Sequence, residues 1–140
     1  MSSGWQGPFK LNETCALLQD GGAAPLIVTD ASFWRDLMSE KPTSPGAALV
    51  AAGSGWLVGV YSIAEDAGAW EMHPSGDELL VMLTGEMGVV LQGAEGEVTV
   101  TLAAGHACLV PRGTWHRQVV GRPGEYLGAT YGKETQHRPR

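Results

Sequence analysis

Three potential metal ligands lie close together in the middle of the sequence. Glu71, His73 and Glu78 fall within the segment WEMHPSGDE at residues 70–78. If residues 70–73 form a strand, Glu71 and His73 point to the same side, because side chains along a strand alternate between its two faces. Turn-forming residues at 74–77 then reverse the chain and bring Glu78 beside them. Two carboxylates and an imidazole on one face require either solvent or a cation beside them, because burying these groups without a partner is costly.

A fourth candidate ligand comes from the segment GHACLVPRGTWH at residues 105–116. His116 follows a rigid Pro-Arg-Gly turn and begins another predicted strand, on which Thr114, His116 and Gln118 share a face. If the sheet curls into a barrel, His116 projects into the same interior as the first three residues. Taken alone, this spacing leaves a structural or surface role open for each of the four.

The elements that must position these residues are predominantly strands. The chain has 140 residues with 20 Gly and 8 Pro, which suits one domain with many tight turns. After Trp56 the turn signals recur at intervals of roughly 8 to 12 residues or less, the spacing of an antiparallel sandwich or barrel. The predicted strands are residues 56–63, 70–73, 78–83, 86–92, 97–102, 107–110, 115–120 and 125–131.

The two ends of the chain are predicted to differ from this body. Residues 1–24 are expected to form an N-terminal arm, residues 25–132 the β-barrel domain and residues 133–140 a frayed C-terminal tail. Within the domain, residues 26–29 form a first strand, and Asp30 or Ser32 caps one short helix over residues 33–39. Pro42 and Pro45 end that helix. The small apolar residues 47–52 are assigned to the strand-rich part that follows.

Composition and charge narrow the classes of function. A net charge of −6 argues against a general nucleic-acid-binding protein. No apolar run approaches the ~18 residues that span a membrane, so we expect no membrane partner. The N-terminus lacks a basic region followed by an apolar run, which predicts no secretory signal and a cytoplasmic location. Cys15 and Cys108 are far apart in the sequence, and Cys108 is predicted to be a small buried apolar side chain.

The two segments resemble the two signature motifs of the cupin family. The first family pattern is G-x5-H-x-H-x3–4-E-x6-G, and this sequence has Glu71-x-His73, Glu78 and Gly85 at the corresponding spacing. The second pattern is G-x5-P-x-G-x2-H-x3-N. Gly105, Pro111, Gly113 and His116 fall in register with it. The resemblance covers residues 56–120, about half of the chain.

This resemblance implies an all-β cupin jelly-roll barrel and a metal site. The implied ligands are His73, Glu78 and His116, with Glu71 as the fourth. The sequence departs from the family pattern at Glu71, where a histidine is usual, and at Glu65 and Val120, where Gly and Asn are usual. Two imidazoles and two carboxylates favour Mn²⁺ or Fe²⁺, with Zn²⁺ or Ni²⁺ as alternatives. The alternatives for Glu71 are that Arg112, Arg117 or a backbone donor holds it, leaving three ligands, or that the site has lost its metal.

The functional hypothesis is a metal-dependent enzyme, of oxygenase or isomerase type, that acts on a small polar metabolite. Glu71 is the candidate catalytic residue, a general base if it does not bind the metal. The alternative is a non-catalytic binding or sensor module for a metabolite or a metal. The N-terminal arm could cover an edge strand of a second copy, so we expect a homodimer.

Other residues receive weaker predictions. Leu80 and Met82 share the strand face of Glu78 and are expected to line the barrel, with Tyr61 near its mouth. His106 is expected to be exposed. His137, in the tail, is expected to have no role.

Overall fold

The computed structural model describes residues 5–53 and 55–140, so residues 1–4 of the predicted arm lie outside the described residues. The described part contains two helices and nine strands. In chain order they are β1 (Thr14–Gln19), β2 (Leu26–Val28), α1 (Ala31–Leu37), α2 (Pro45–Ala52), β3 (Gly55–Ile63), β4 (Ala69–Met72), β5 (Glu78–Gly93), β6 (Gly96–Ala103), β7 (Ala107–Val110), β8 (His116–Thr130) and β9 (Gln136–Pro139). None of the helices in these ranges is both long and apolar enough to cross a membrane.

Two long strands, β5 and β8, run through both halves of the molecule. The first half of β5 pairs with β7 and with the second half of β8. From β8 the sheet continues through β3 and β1 to β2. The second half of β5 pairs with β6 and with the first half of β8. Strand β4 joins β8 at a single pair, Glu71 opposite His116, and β9 pairs with β4. All these pairings are antiparallel, and the predicted jelly-roll architecture is confirmed.

The bends in β5 and β8 lie opposite one another. The register between them shifts around Thr84 and Glu86. Gly85 has a φ of 77°, and a Cβ at this position would lie only 2.5 Å from the carbonyl oxygen of Arg122. Glycine is therefore required there, both for the positive φ and for the close approach of the two backbones. The sequence predicted two separate strands in each region, because these Gly and Pro residues resemble turns, whereas the structure has bulges within continuous strands.

Residues 45–52 form a second helix, α2, so the prediction of a single helix is wrong, as is the assignment of residues 47–52 to the strand-rich part. Pro45 occupies the beginning of the helix, where its missing N–H costs nothing. Alanine, the strongest helix former, is frequent in the segment that follows. Ala47 and Val50 are buried against Phe33 of α1 and Leu57 of β3. The short apolar run could not distinguish helix from strand by periodicity alone.

Helix α1 spans Ala31–Leu37, two residues earlier than predicted, and Asp30, one of the two predicted caps, precedes it. The Asp30 carboxylate caps it by accepting a hydrogen bond of 2.8 Å from the backbone N–H of Phe33. Phe33 is buried in an apolar cluster beneath the two helices. A second apolar cluster fills one part of the barrel between the sheets, and it contains Ile63, Leu80, Met82, Met87, Val89, Leu102 and Val110. The helices thus cover one side of the barrel, and its filled interior fixes the strands that carry the polar residues.

Both predicted terminal segments contribute strands to the sheets. Strand β1 lies within the predicted arm, yet it is paired between β2 and β3. Strand β9 lies within the predicted tail and pairs with β4, which places His137 opposite Glu71. The expectation of a frayed tail is therefore wrong for residues 136–139. Trp5 is 76% exposed and does not anchor the N-terminal segment to this chain's own core.

Candidate metal centre

The four candidate ligands come together from three strands and a turn. Glu71 lies in β4, His73 follows that strand, Glu78 is the first residue of β5 and His116 is the first residue of β8. One ligand atom from each of the four lies within 4.8 Å of the others. The sequence-based expectation that these side chains share one interior therefore agrees with the geometry.

Backbone hydrogen bonds hold the two motif segments together. The N–H of Gly113 donates to the carbonyl oxygen of His73 at 2.9 Å. The N–H of Arg112 donates to a carboxylate oxygen of Asp77, also at 2.9 Å. The turn at residues 111–113 is thus fastened to the turn at residues 74–77. This contact brings His73 and His116 together, although they are far apart in the sequence.

Distances between the ligand atoms suit a common cation. His116 Nε2 lies 3.0 Å from Glu78 Oε1 and 3.3 Å from Glu71 Oε1. His73 Nε2 lies 3.2 Å from Glu78 Oε2 and 3.8 Å from Glu71 Oε1. Adjacent ligands placed about 2.1 Å from one metal ion are separated by roughly 3.0 Å at right angles and roughly 3.4 Å in a tetrahedron. The observed spacing falls near these values.

Hydrogen bonds to the far side of each imidazole orient both rings. His116 Nδ1 donates to the carbonyl oxygen of Thr114 at 3.0 Å. The Thr135 hydroxyl donates to the carbonyl oxygen of Gly132 at 2.9 Å, so it accepts from His73 Nδ1 at 2.7 Å. Each Nδ1 therefore carries a proton, and each Nε2 faces the carboxylates.

A carboxylate of the site is oriented in a similar way. Oε2 of Glu78 accepts a hydrogen bond of 2.6 Å from the hydroxyl of Thr130, at the end of β8. The side chain is 5% exposed, so this oxygen has almost no access to water. The bond holds the other oxygen, Oε1, toward His116.

Burial makes a counter-charge necessary at the centre. His116 is fully buried, and His73 and Glu78 are each 4% exposed. His73 Nε2 has no hydrogen-bond partner among the residues that the structure describes. A buried nitrogen with no partner, facing two carboxylates, is costly unless a cation or a proton lies between them. The donor set and this orphaned nitrogen fit a divalent metal ion.

The pKa values respond to the same crowding. Burial alone would lower the pKa of His73 and His116, but the carboxylates of Glu71 and Glu78 prevail and raise these pKa values to about 9 and about 10. Burial alone would raise the pKa of Glu71 and Glu78, but the neighbouring imidazoles hold both pKa values below the usual range. Without a metal, two imidazolium ions therefore balance two carboxylates at neutral pH.

Comparisons with known proteins concern mainly the fold. No protein-family model and no curated protein matches the sequence. A cupin-2 domain protein from Shewanella frigidimarina is 16% identical over 61% of this chain and 71% of its own, with a TM-score of 0.47. A cupin superfamily protein from Desulfitobacterium hafniense is 20% identical over 54% and 65%, with a TM-score of 0.46. Oxalate decarboxylase from Bacillus subtilis is 16% identical over 60% and 23%, with a TM-score of 0.49.

The strand pairing and the meeting of both motifs agree with the resemblance found in the sequence. The fold is a jelly-roll barrel, the architecture that the resemblance to the cupin motifs implies. At the position where the cupin pattern usually has its first histidine, this chain has Glu71, whose carboxylate faces the centre from β4. Its side chain is 26% exposed, more than the side chains of the other three candidate ligands.

Glu71 is held by different residues from those considered in the sequence. Gln118 Nε2 donates to its Oε1 at 3.5 Å, and His137 Nε2 lies 3.7 Å from its Oε2. Within the described ranges neither Arg112 nor Arg117 forms an ion pair with Glu71. The Arg117 guanidinium instead lies over the Trp70 ring, 5.3 Å from its centroid.

Sequence reasoning missed the contribution of the C-terminal segment. His137 was expected to have no role, but it lies beside Glu71. Thr135, which was not singled out at all, orients His73. The signal was present in part, because residues 135 and 137 have the spacing of one strand face. Their proximity to the site depends on the pairing of β9 with β4, which no local pattern specifies.

Other predictions have mixed outcomes. Leu80 and Tyr61 line the cavity above the site, as expected. His106 is exposed, also as expected. Cys108 was predicted to be buried, but it is only half-buried because β7 is an edge strand with one side open.

The site opens into a cavity of about 640 Å³. Glu71, His73 and Glu78 form one side of it, and the C-terminal segment contributes Thr135 and His137. Helices α1 and α2 supply the opposite side, together with apolar residues of the sheet. The volume lies within the range of small-molecule sites, and Glu71, His73 and Glu78 are accessible from it.

Proposed function

We infer that this chain is a metal-dependent cupin, an enzyme of oxygenase or isomerase type that binds a divalent metal ion through Glu71, His73, Glu78 and His116. The observation that carries this inference is the convergence of one ligand atom from each of the four residues within 4.8 Å, beside a cavity that Glu71, His73 and Glu78 line. The buried His73 Nε2, which has no hydrogen-bond partner in the described part of the chain, supports it further.

The proposed cofactor is Mn²⁺ or Fe²⁺. Two carboxylates and two imidazoles form a harder and more anionic donor set than three imidazoles and one carboxylate, and such a set suits these ions. Zn²⁺ and Ni²⁺ are the alternatives, because they accept imidazole and carboxylate ligands as well. When bound, such an ion would supply Lewis-acid polarisation of substrate oxygens or activation of O₂.

The four candidate ligands differ in burial, and this difference suggests different roles around the ion. His73, Glu78 and His116 are the most buried and are oriented by hydrogen bonds to Thr135, Thr130 and the carbonyl oxygen of Thr114. We propose them as the fixed ligands. Glu71 is more exposed and faces the cavity, so it is the residue that can either bind the metal or contact the substrate.

Glu71 is also the proposed general base when it is not a ligand. Burial raises its pKa, but His116, His137 and His73 outweigh that effect and hold the pKa low, so the carboxylate is ionised at neutral pH. An ionised carboxylate at the cavity wall can accept a proton from a substrate carbon or hydroxyl. His137, 3.7 Å away, can stabilise the carboxylate when the metal does not.

A non-catalytic binding or sensor module is the second candidate. It is favoured by the scarcity of groups that could act beside Glu71. Burial raises the pKa of the Tyr61 hydroxyl and of the Tyr126 hydroxyl far above neutrality, so both lose their protons with difficulty. If Glu71 binds the metal permanently, the cavity retains a ligand site but lacks an obvious base.

Metal analysis of untagged protein tests both proposals. The unmodified protein should contain close to one divalent ion per chain after reconstitution. His73→Ala and His116→Ala should each abolish stoichiometric binding, whereas His106→Ala, which changes an exposed histidine outside the site, should not. Retention of metal by both site variants would contradict the proposed ligands.

Glu71→Gln distinguishes the two roles of that residue. If Glu71 is a ligand, the variant loses metal affinity. If it is a base, the variant keeps its metal and loses turnover. A variant that keeps both properties would leave Glu71 without either proposed role.

We also propose that the chain forms a homodimer in the cytoplasm. The Trp5 side chain is 76% exposed, and Val28 is 70% exposed. Val28 lies on β2, which is an edge strand of the sheet and has no neighbouring strand on one side among those described. Pairing of such an edge with a second copy would cover both. Sedimentation analysis that finds only monomer at micromolar concentration would exclude the dimer.

A further inference from the structure

The cavity above the candidate metal site has two chemically different sides. On one side lie the carboxylates and imidazoles of the site. The other side is apolar and aromatic, and it is formed by Trp34, Leu37, Leu57, Tyr61, Leu80 and Tyr126. Tyr61 connects the two aromatic groups, because its ring lies 5.9 Å from that of Trp34 and 5.6 Å from that of Tyr126. A ligand that reaches the metal therefore also contacts a continuous apolar wall.

The distribution of charge in the cavity restricts the ligand further. Glu40 and Glu134 line it in addition to Glu71 and Glu78, whereas none of its lining residues in the described ranges is Lys or Arg. A divalent ion would be neutralised by Glu71 and Glu78. A ligand with a second anionic group would then meet carboxylates and apolar surface, because His137, the basic side chain of the described lining outside the four candidate ligands, already lies against Glu71.

We propose that the ligand of this cupin has one metal-chelating pair of oxygen atoms on an aromatic or similarly bulky apolar body, and carries at most one negative charge. This inference rests on the proposed metal site and narrows the expectation of a small polar metabolite. The chelating oxygens would bind the metal ion beside Glu71, His73 and Glu78. The apolar body would lie against the wall formed by Trp34, Leu37 and Tyr61. Di- and tricarboxylates and phosphate esters are excluded as good ligands.

Three hydroxamic acids test the proposal, because they present the same chelating group to the metal. Acetohydroxamic acid has almost no apolar body, benzohydroxamic acid has a phenyl ring, and 4-carboxybenzohydroxamic acid adds a second anionic group to that ring. Their dissociation constants are measured by calorimetry on the full chain loaded with Mn²⁺. Benzohydroxamic acid should bind more tightly than acetohydroxamic acid by on the order of tenfold to a hundredfold, because its phenyl ring moves from water to the apolar wall of the cavity. The added carboxylate should cancel most of that gain.

A pair of variants tests whether the proposed wall is responsible. Leu37→Asn should remove most of the advantage of benzohydroxamic acid and leave acetohydroxamic acid unaffected. Leu109→Asn is the matched control, because Leu109 is 63% exposed on β7 and does not line the cavity. It should bind all three compounds like the unmodified protein. The comparison of the three compounds on the unmodified protein decides the proposal even if Leu37→Asn does not fold.

The outcomes separate this inference from the proposed function. If the protein binds Mn²⁺ and all three compounds bind equally, or if the carboxylated compound binds best, the apolar ligand class is wrong while the metal site stands. If benzohydroxamic acid binds equally well to metal-free protein, the placement of its chelating group is wrong. If the protein binds neither Mn²⁺ nor any hydroxamate, both the proposed function and the ligand class are overturned.

Discussion

Binding of a divalent metal ion to the metal-free protein should release about two protons at pH 7, because metal ligation requires neutral imidazoles. The neighbouring carboxylates overcome the effect of burial and raise the pKa of His73 to about 9 and that of His116 to about 10. Both imidazoles are therefore protonated at pH 7 in the metal-free protein. Each Nε2 would lose its proton on binding a metal ion, while each Nδ1 would keep its hydrogen bond to Thr135 or Thr114.

The steepness with which metal affinity depends on pH follows from the number of protons displaced. Below about pH 9 the apparent metal affinity should fall about a hundredfold for each unit of decrease in pH, because two protons compete with one ion. Between the two histidine pKa values the slope should fall to about tenfold per unit, and it should vanish above about pH 10.

Calorimetry in two buffers with different ionisation enthalpies measures the number of protons directly. Titrations at pH 7 should give a slope of about two protons per ion, and the exposed-residue control His106→Ala should give the same value. Release of no protons at pH 7 would refute the assignment of the two imidazoles as charged partners of Glu71 and Glu78 in the metal-free protein. Release of one proton would refute that assignment for one of the two imidazoles.

The same pKa shifts predict how the stability of the metal-free protein varies with pH. The folded pKa of each histidine lies above its ordinary value of 6.5, so the imidazolium ions stabilise the fold fully below about pH 6.5. That contribution should decrease steadily from about pH 6.5 to about pH 10. Urea denaturation with a chelator present should show this decrease, and saturating metal should abolish it.

Three further predictions concern residues around the site and the bends. Thr135→Val removes the acceptor for His73 Nδ1 and should weaken metal binding by about 10- to 100-fold, as measured in competition with a chromogenic chelator. Glu134 has a φ of 62°, so Glu134→Asn should raise the free energy of unfolding by about 0.5–1 kcal/mol and Tm by about 2 °C. Gly85→Ala should lower the free energy of unfolding by at least about 2 kcal/mol in urea, because its Cβ would meet the carbonyl oxygen of Arg122.

Much of the site could be predicted because its residues belong to two short segments with local rules. Alternation along β4 puts Glu71 and His73 on one face, and the turn at 74–77 returns the chain to Glu78. The resemblance of both segments to cupin motifs then supplied the non-local step, the approach of His116. The hydrogen bond from Gly113 to the carbonyl oxygen of His73 is the physical basis of that step, and no property of either segment alone reveals it.

The elements that could not be predicted have local sequences that favour another structure or none. The segment at 45–52 is short and apolar throughout, so it lacks the alternation of polar and apolar residues that identifies an amphipathic helix. Its burial against Phe33 and Leu57 decides its position. The glycines at the bends of β5 and β8 have the composition of turns. Their role as bulges becomes evident only when Gly85 and Arg122 are seen to face each other across the two strands.

The C-terminal segment shows most clearly how this site depends on contacts between distant parts of the chain. Residues 136–139 are exposed and polar, and they form a strand only because β4 offers them an edge. That pairing places His137 beside Glu71, and the preceding turn places Thr135 on His73. Glu71, which departs from the usual cupin histidine, and His73, one of the two candidate imidazole ligands, are thus both contacted by the same segment. If Glu71 is a metal ligand, its coordination would therefore depend on β9 as well, since His137 and the ion would compete for the same carboxylate.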